Sequence, residues 1–298
     1  MLKRILITGG TGLLGKTLIE QTPANFYVHA TNCRPETQSL LSCPSSSLDI
    51  TNQREVERVF EEARPEVVVH AAGAGNVDFA EHNREEAWQI NVGGTKHIVE
   101  ACRRSGSKLI FLSTNAIFDG ENPPYDEESK RCPINYYGQL KVEAEDVVTN
   151  SAIESAIVRP ILMYGWNHSL GRKNPVTIWL DALASGKPVK VVNDRFWQPL
   201  FVEDCAEVVW RLIETGKHGI YHVASPNRLS LFDFALETAH VFGLSNQTIE
   251  PVPSSFFPTI APRPVDTSFR TDKIQSELGV YPSATYAGLE RMKRSVTA

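Results

Sequence analysis

The stretch Arg4-Ile-Leu-Ile-Thr-Gly-Gly-Thr-Gly-Leu-Leu-Gly15 decides the fold. A run of branched apolar residues leads straight into glycines, and a helical pattern follows. A strand apolar along its whole length has both faces buried, which marks a parallel sheet. Glycines at 9, 12 and 15 let the chain turn sharply, bring backbone N–H groups against a pyrophosphate and let the helix pack close to the strand. Dinucleotide binding is therefore expected through Gly9, Thr11, Gly12, Leu13, Leu14 and Gly15. The plain alternative, a tight turn without a ligand, fits the strand-loop-helix context less well.

Outward from this loop, similar apolar runs recur at Phe26 to Thr31, Val67 to Ala71, Leu109 to Ser113 and Ala156 to Val158. Helical patterns separate them. From Thr51 to Ala63, for example, Val56, Val59, Phe60 and Ala63 fall on one side and Glu, Arg and Gln on the other. Alternation of this kind predicts an α/β fold, a Rossmann-type doubly wound parallel sheet. After Pro160 the rhythm loosens and prolines gather between Pro251 and Pro264, so a smaller C-terminal substrate-binding lobe is expected. Asp204 to Glu214 followed by Gly219 to Ala224 repeats the helix-then-strand pattern. The expected division is residues 1–160 with 199–225 as the dinucleotide-binding domain, and 161–198 with 226–298 as the lobe.

The 298 residues carry 30 Lys and Arg against 35 Asp and Glu, a net charge of −5 that argues against a nucleic-acid partner. No apolar run approaches the ~20 residues that cross a bilayer, and the first residues read as a strand rather than a signal peptide. The five cysteines are scattered, without a C-x-x-C pair or a metal-ligand cluster. They predict reduced thiols, no metal and a cytoplasmic location.

Coenzyme choice turns on the end of the second strand, Ala30-Thr31-Asn32-Cys33-Arg34. An NAD site usually ends here in an acid for the ribose 2′-hydroxyl, and none is present. Asn32 with Arg34 suits a 2′-phosphate, so NADP is favoured over NAD, the alternative being a solvated loop arginine. Asp49, read with Ile50 as the end of a short strand Leu48-Asp49-Ile50, is placed at the adenine edge or else at a helix N-cap.

Tyr137 and Lys141 stand four apart in a helical pattern, on one face. An ammonium about 6 Å from the phenol at an effective dielectric near 20 favours phenolate by about 2.8 kcal/mol, enough to lower the phenol pKa by about two units. Such a phenol exchanges a proton with an alcohol or ketone. Chance alone produces such pairs, so context matters. Thr114 follows the strand ending Leu112-Ser113, at the carboxyl edge where open α/β sheets bind ligands, and its hydroxyl suits a substrate oxygen; the alternative is an ordinary strand-end turn.

Thr8 to Gly15, His70-Ala71-Ala72-Gly73, Asn91-Val-Gly-Gly-Thr95, Ser113-Thr114 with Phe118-Asp-Gly120, Tyr137-x-x-x-Lys141 and Arg159-Pro160 occur in an order and spacing that resembles the extended short-chain dehydrogenase/reductase family. Within it, Ser113-Thr-Asn-Ala-Ile-Phe-Asp-Gly120, Asp194-Arg-Phe-Trp-Gln-Pro-Leu-Phe-Val-Glu-Asp204, Gly219-Ile-Tyr-His222 and Ala261-Pro-Arg-Pro264 are similar to the dTDP-4-dehydrorhamnose reductases, over almost the whole chain. The resemblance implies hydride transfer from a nicotinamide to the C4 ketone of a nucleotide-linked deoxysugar, with Tyr137 as general acid. Thr114 would orient the oxygen, and Lys141 would lower the Tyr137 pKa and hold the nicotinamide ribose. Asn91 would line the site or pack a helix. His70, Ala71, Ala72 and Gly73 would lie beside the cofactor, or His70 would be a satisfied strand-end histidine.

Asn115, Trp197 and Leu200 stand where that group carries Asp, Gly and Thr, implying a changed or narrower sugar pocket lined by Thr114, Asn115 and Trp197. Arg263 is the candidate nucleotide-phosphate contact, or a surface arginine. Trp166, Asn167, Asn174 and Arg195 are weaker candidates, and Trp179 at helical spacing reads as core. The expected partner is a small nucleotide-sugar substrate, with a homodimer as the candidate assembly and no membrane contact. A 4,6-dehydratase would need acids where Asn115-Ala116 stand. The competing readings are an NAD-dependent sugar-nucleotide 4-epimerase and a non-catalytic NADP-binding regulatory subunit resembling the β subunit of methionine adenosyltransferase.

Overall fold

The computed structural model describes residues 2–168, 170–258 and 260–295; the outer limits of the expected division, residues 1 and 298, lie outside the described residues. The central sheet has seven strands, β1 (Lys3–Thr8), β2 (Phe26–Asn32), β3 (Ser45–Ser47), β4 (Val67–His70), β5 (Lys108–Leu112), β6 (Ser155–Pro160) and, later in the chain, β11 (Gly219–Val223). All neighbours pair in parallel in the order β3-β2-β1-β4-β5-β6-β11. Ile5 and Ile7, Val67 and Val69, and Ile110 feed one apolar layer, while Leu6, Val68, Leu109 and Phe111 feed the other. This two-residue alternation inside continuous apolar runs is why both faces must be covered.

Helices α1 (Leu13–Glu20) and α8 (Val202–Thr215) cover the first face, through Leu14, Leu18, Val209 and Leu212. On the second lie α2 (Gln53–Ala63), α5 (Gly94–Ser105) and α6 (Tyr136–Thr149), through Val56, Phe60, Ile98, Ala144 and Val148. Short helices α3 (Val77–His82) and α4 (Arg84–Trp88) precede a π-helical turn, Gln89–Gly93, that runs into α5. Asn52 caps α2 by accepting from the Arg54 N–H at 3.1 Å, and the four apolar positions expected on its inner face are all buried.

The sequence between and beyond β6 and β11 forms three two-stranded ribbons. They are β7 (Met163–Tyr164) with β10 (Leu200–Phe201), β8 (Val189–Val192) with β13 (Ile249–Val252), and β9 (Phe196–Trp197) with β12 (Leu229–Ser230). Helices α7 (Pro175–Ala184), α9 (Leu231–Phe242), α10 (Asp272–Leu278) and α11 (Thr285–Arg294) complete the chain. Trp179 is core, 5.3 Å from the Phe234 ring.

The strand expected at Leu48-Asp49-Ile50 lies instead three residues earlier. Ser45–Ser47 pairs with β2, whereas Leu48-Asp49-Ile50 leads into a turn in which Asp49 Oδ1 accepts from the Thr51 N–H at 2.9 Å and its hydroxyl at 2.8 Å. Pairing to β2 uses backbone groups, so three serines serve as well as apolar residues at this sheet edge.

Candidate active site

Strand order reverses at β1, with β2 on one side and β4 on the other, so the loops after β1 and β4 diverge into a crevice at the carboxyl ends of the strands. In the first loop a Cβ on Gly15 would lie 2.3 Å from the Gly9 carbonyl oxygen, which no larger residue permits. The Gly10 N–H is fixed to the Thr31 carbonyl at 2.7 Å. Gly12 begins α1 with no side-chain cap and no acid follows in the first turn, so the helix presents its N–H groups and positive dipole end to the crevice. Thr11, Leu13 and Leu14 lie on the same turn.

Asn32 ends β2, nearly fully buried, and its Nδ2 donates to Thr37 Oγ1 at 2.9 Å and to the Arg34 carbonyl. Its buried Oδ1 has no partner among the described residues. Arg34 is exposed, and its guanidinium has no hydrogen-bond or ion-pair partner among the described residues. Asp49 is exposed and turned to Thr51, while Ile50 is buried against Gly94. An uncapped helix start, a cradle that a Cβ would fill and an orphaned buried acceptor together fit a dinucleotide.

The loop after β4 is braced from inside. His70 Nδ1 meets Thr8 Oγ1 at 2.8 Å and its Nε2 meets Thr95 Oγ1 at 3.3 Å, so both ring nitrogens are used within the core. Burial, with the Lys141 charge, lowers its pKa to about 3. The His70 ring is thus turned into the core, while Ala71 and Ala72 are half-buried and Gly73 is exposed. Asn91 accepts from the Ala74 N–H at 3.2 Å and donates to the Ala87 carbonyl at 2.9 Å, holding the loop to the helical layer.

Helix α6 carries Tyr137 and Lys141. Asn135 caps it, accepting from the Gly138 N–H at 2.9 Å. A Cβ on Gly138 would lie 2.2 Å from the Ala116 carbonyl oxygen, so glycine here lets the helix sit directly on the turn after Thr114. Thr114 accepts from the Ala116 N–H at 3.2 Å, and its side chain neighbours the Tyr137 hydroxyl. A Cβ on Gly75, in the loop after β4, would lie 3.9 Å from that same hydroxyl oxygen. The loop after β4 and the end of β5 thus meet at the phenol, and the loop after β1 abuts the loop after β4, a Cβ on Gly9 lying 2.9 Å from the Ala72 backbone nitrogen.

The expected acidification by Lys141 is not what the structure contains. Lys141 Nζ donates to the Leu112 carbonyl at 2.6 Å and lies 4.1 Å from the Phe111 ring centroid. Burial lowers its pKa to about 8, against the opposing charge of Glu145. Burial raises the Tyr137 pKa above the ordinary phenol value, opposed by the Thr114 side chain and the Arg172 charge. The helix spacing fixes the face the lysine shares with the phenol; the strand-end carbonyl decides where its ammonium points.

Asn115 Nδ2 donates to Thr267 Oγ1 at 2.6 Å, and Trp197 is half-buried in β9. Arg263, expected at a phosphate, is instead paired with Asp78 at 2.9 Å and donates to the Ala261 carbonyl at 2.9 Å, because Asp78 on α3 faces it. The weaker candidates are also engaged: Trp166 Nε1 donates to the Met292 carbonyl at 2.7 Å, Asn174 caps α7 and bonds Asn167, and Arg195 donates to the Arg263 carbonyl. Sequence reading missed Arg172, whose loop has no periodicity. It also missed Glu145, which the four-residue spacing from Lys141 could have flagged. Among the described residues no cluster of three or more His, Cys, Asp or Glu is placed to hold a metal ion, and no helix is long and apolar enough to cross a membrane.

Comparison with known proteins matches residues 3–297 to the RmlD substrate binding domain family. Methionine adenosyltransferase 2 subunit beta of Rattus norvegicus is 28% identical over 292 residues, covering 93% of this chain and 83% of the relative. The dTDP-4-dehydrorhamnose reductase of Mycobacterium tuberculosis is 32% identical over 268 residues, covering 88% and 83%. The crystal structure of dTDP-4-dehydrorhamnose reductase from Bacillus anthracis in complex with NADP superposes with a TM-score of 0.87 at 30% identity, over 99% of both chains. The chain belongs to the RmlD substrate-binding-domain family of extended short-chain dehydrogenase/reductases, NAD(P)-dependent oxidoreductases built on this sheet.

Proposed function

We propose that the protein is an NADP(H)-dependent reductase of a nucleotide-linked 4-keto-deoxysugar, as the name of the Mycobacterium tuberculosis relative suggests. The observation that carries this reading is that the Tyr137 hydroxyl, Thr114 and Gly75 of the loop after β4 come together at the carboxyl end of the sheet, beside the strand-order switch that the glycine loop occupies.

NADPH, when bound, supplies a hydride to the ketone carbon. The first turn of α1, with Thr11 to Gly15, would hold its pyrophosphate, and Asn32 Oδ1 with Arg34 the phosphorylated adenosine ribose. Asp49 and Ile50 would border the adenine, and the backbone of residues 70–73 the nicotinamide half. As the carbon gains the hydride its oxygen gains an electron pair, and Tyr137 gives that oxygen its proton. A phenol whose pKa burial has raised is protonated at neutral pH, as a proton donor for reduction must be. Thr114 orients the substrate oxygen beside it, and Lys141, with N–H donors to spare beyond the one on the Leu112 carbonyl, holds the nicotinamide ribose. Residues 1–160 with 199–225 would act as the coenzyme unit and 161–198 with 226–298 as the sugar-binding lobe, and Asn115 of the first with Trp197 of the second would shape the sugar pocket.

The test follows NADPH absorbance with a panel of nucleotide-linked 4-keto sugars, and oxidation with at least one is expected. A second reading rests on the likeness to methionine adenosyltransferase 2 subunit beta: a regulatory subunit that binds NADP without turnover. NADPH binding with no oxidation by any sugar, together with capture of a methionine adenosyltransferase catalytic subunit, would favour it.

A further inference from the structure

Helix α6 bears a third residue in step with the first two: Tyr137, Lys141 and Glu145 recur every four positions. Each engages one of three consecutive residues at the end of β5. Lys141 Nζ donates to the Leu112 carbonyl at 2.6 Å, Ser113 Oγ donates to Glu145 Oε1 at 2.5 Å, and the Thr114 side chain neighbours the Tyr137 hydroxyl. Glu145 is wholly buried, 0% exposed, which an isolated carboxylate cannot be. Arg159 of β6 grips it with two prongs, Nε to Oε1 at 2.9 Å and Nη2 to Oε2 at 2.7 Å, and Arg131 Nη1 reaches Oε2 at 3.2 Å. Arg159 also donates to the Glu127 carbonyl at 3.3 Å and to His222 Nε2 at 3.2 Å, so the carboxylate is anchored to two strands and a loop.

We propose that Glu145 is a positioning residue for the reaction, fixing the end of β5 through Ser113 so that Thr114 and Lys141 are held in register with Tyr137. The proposal rests on the reductase reading for its activity arm and not for its structural arm. A neutral residue of the same shape would fill the space, but it would leave Arg159 without its counter-charge and Lys141 without the anion that offsets its burial, while Arg131 would keep only Asp146, at 2.7 Å. The groups facing Lys141 are His70 from β4, neutral because its pKa is near 3, Glu145 one helical turn on, and Tyr137 one turn back. Those facing Glu145 are Arg159, Arg131 and Ser113, with His222 behind Arg159 and also neutral at ordinary pH. Glu145 is therefore the one negative charge among these groups that acts on the Lys141 ammonium.

Two variants separate positioning from mere packing. In Glu145→Gln, a lysine side-chain NMR titration, with the Lys141 signal assigned by its loss in Lys141→Arg, should show Lys141 releasing its proton at least about one pH unit lower than in the parent, a tenfold loss of proton affinity. In Ser113→Ala, which keeps the ion pair and so the fold, that titration should stay in place while kcat falls by about tenfold or more with KM for NADPH unchanged. An unshifted Lys141 titration in folded Glu145→Gln, or parental kcat in Ser113→Ala, overturns the proposal; if Glu145→Gln does not fold, the Ser113→Ala kinetics decide. Absence of turnover in the parent protein refutes the reductase reading instead, and the NMR titration then decides the positioning role on its own.

Discussion

The glycine loop makes a separable prediction about Gly15 and Gly12. In Gly15→Ala the new methyl would sit 2.3 Å from the Gly9 carbonyl oxygen and 2.8 Å from Gly10 Cα, both backbone atoms. Ordinary contact begins at 3.4 Å, so the loop must retreat by about 1 Å. That retreat pulls on the 2.7 Å bond from the Gly10 N–H to Thr31. Overpacking costs about 1–3 kcal/mol and a weakened hydrogen bond about 1 more, so a loss of about 2–4 kcal/mol is expected without coenzyme. For a chain of this size that lowers Tm by roughly 3–6 °C. Gly12 differs: its φ of −72° suits any residue, and a methyl there meets only the Gly9 oxygen, at 3.2 Å. Gly12→Ala should therefore melt within about 2 °C of the parent, since its cost stays below about 0.5 kcal/mol, yet bind NADPH at least about tenfold more weakly because the methyl stands in the crevice. Circular-dichroism melts without coenzyme and fluorescence titration with NADPH read the two effects. Equal destabilisation by both substitutions, or unchanged NADPH affinity in Gly12→Ala, would refute the assignment of packing to one glycine and coenzyme approach to the other.

Tyr137→Phe should lower turnover by a factor of ~10² to 10⁴ with NADPH affinity nearly unchanged, as stopped-flow and binding titrations would show. Arg34→Ala should weaken NADPH binding while leaving NADH binding in place, so the ratio of the two dissociation constants moves toward one; an unchanged ratio removes Arg34 from the 2′-phosphate. His70 has its folded pKa lowered from 6.5 to about 3, so it contributes stability that is complete above pH 6.5 and lost as pH falls toward 3. By pH 5 the loss is about 2 kcal/mol, and His70→Asn should show a correspondingly shallower fall in urea midpoint between pH 7 and 5.

The sheet was legible because buried parallel strands leave continuous apolar runs, and the first loop because its glycines are separated by steric need. The strand Ser45–Ser47 was not, since three serines carry no apolar signal and only the edge of β2 draws them into the sheet. At the site, helical spacing put Tyr137 and Lys141 on one face but said nothing of the Leu112 carbonyl that takes the ammonium. Arg263 looked available because its partner, Asp78, lies 185 positions earlier and only the tertiary fold brings it near. Asn174 and Trp166 read as recognition residues for the same reason: a helix cap and a bond to the Met292 carbonyl are invisible without their neighbours.

The route of the chain around the sheet constrains how this scaffold can be rebuilt. It leaves after β6, returns to lay down α8 and β11 beside that same strand, and leaves again before β12. The outlying ribbons β8–β13 and β9–β12 each join one excursion to the other. A chimaera that borrows its outlying part from a relative therefore cannot be made with a single crossover; it needs junctions on both sides of the α8–β11 unit, and a truncation after β11 would strand β8 and β9 with unpaired edges.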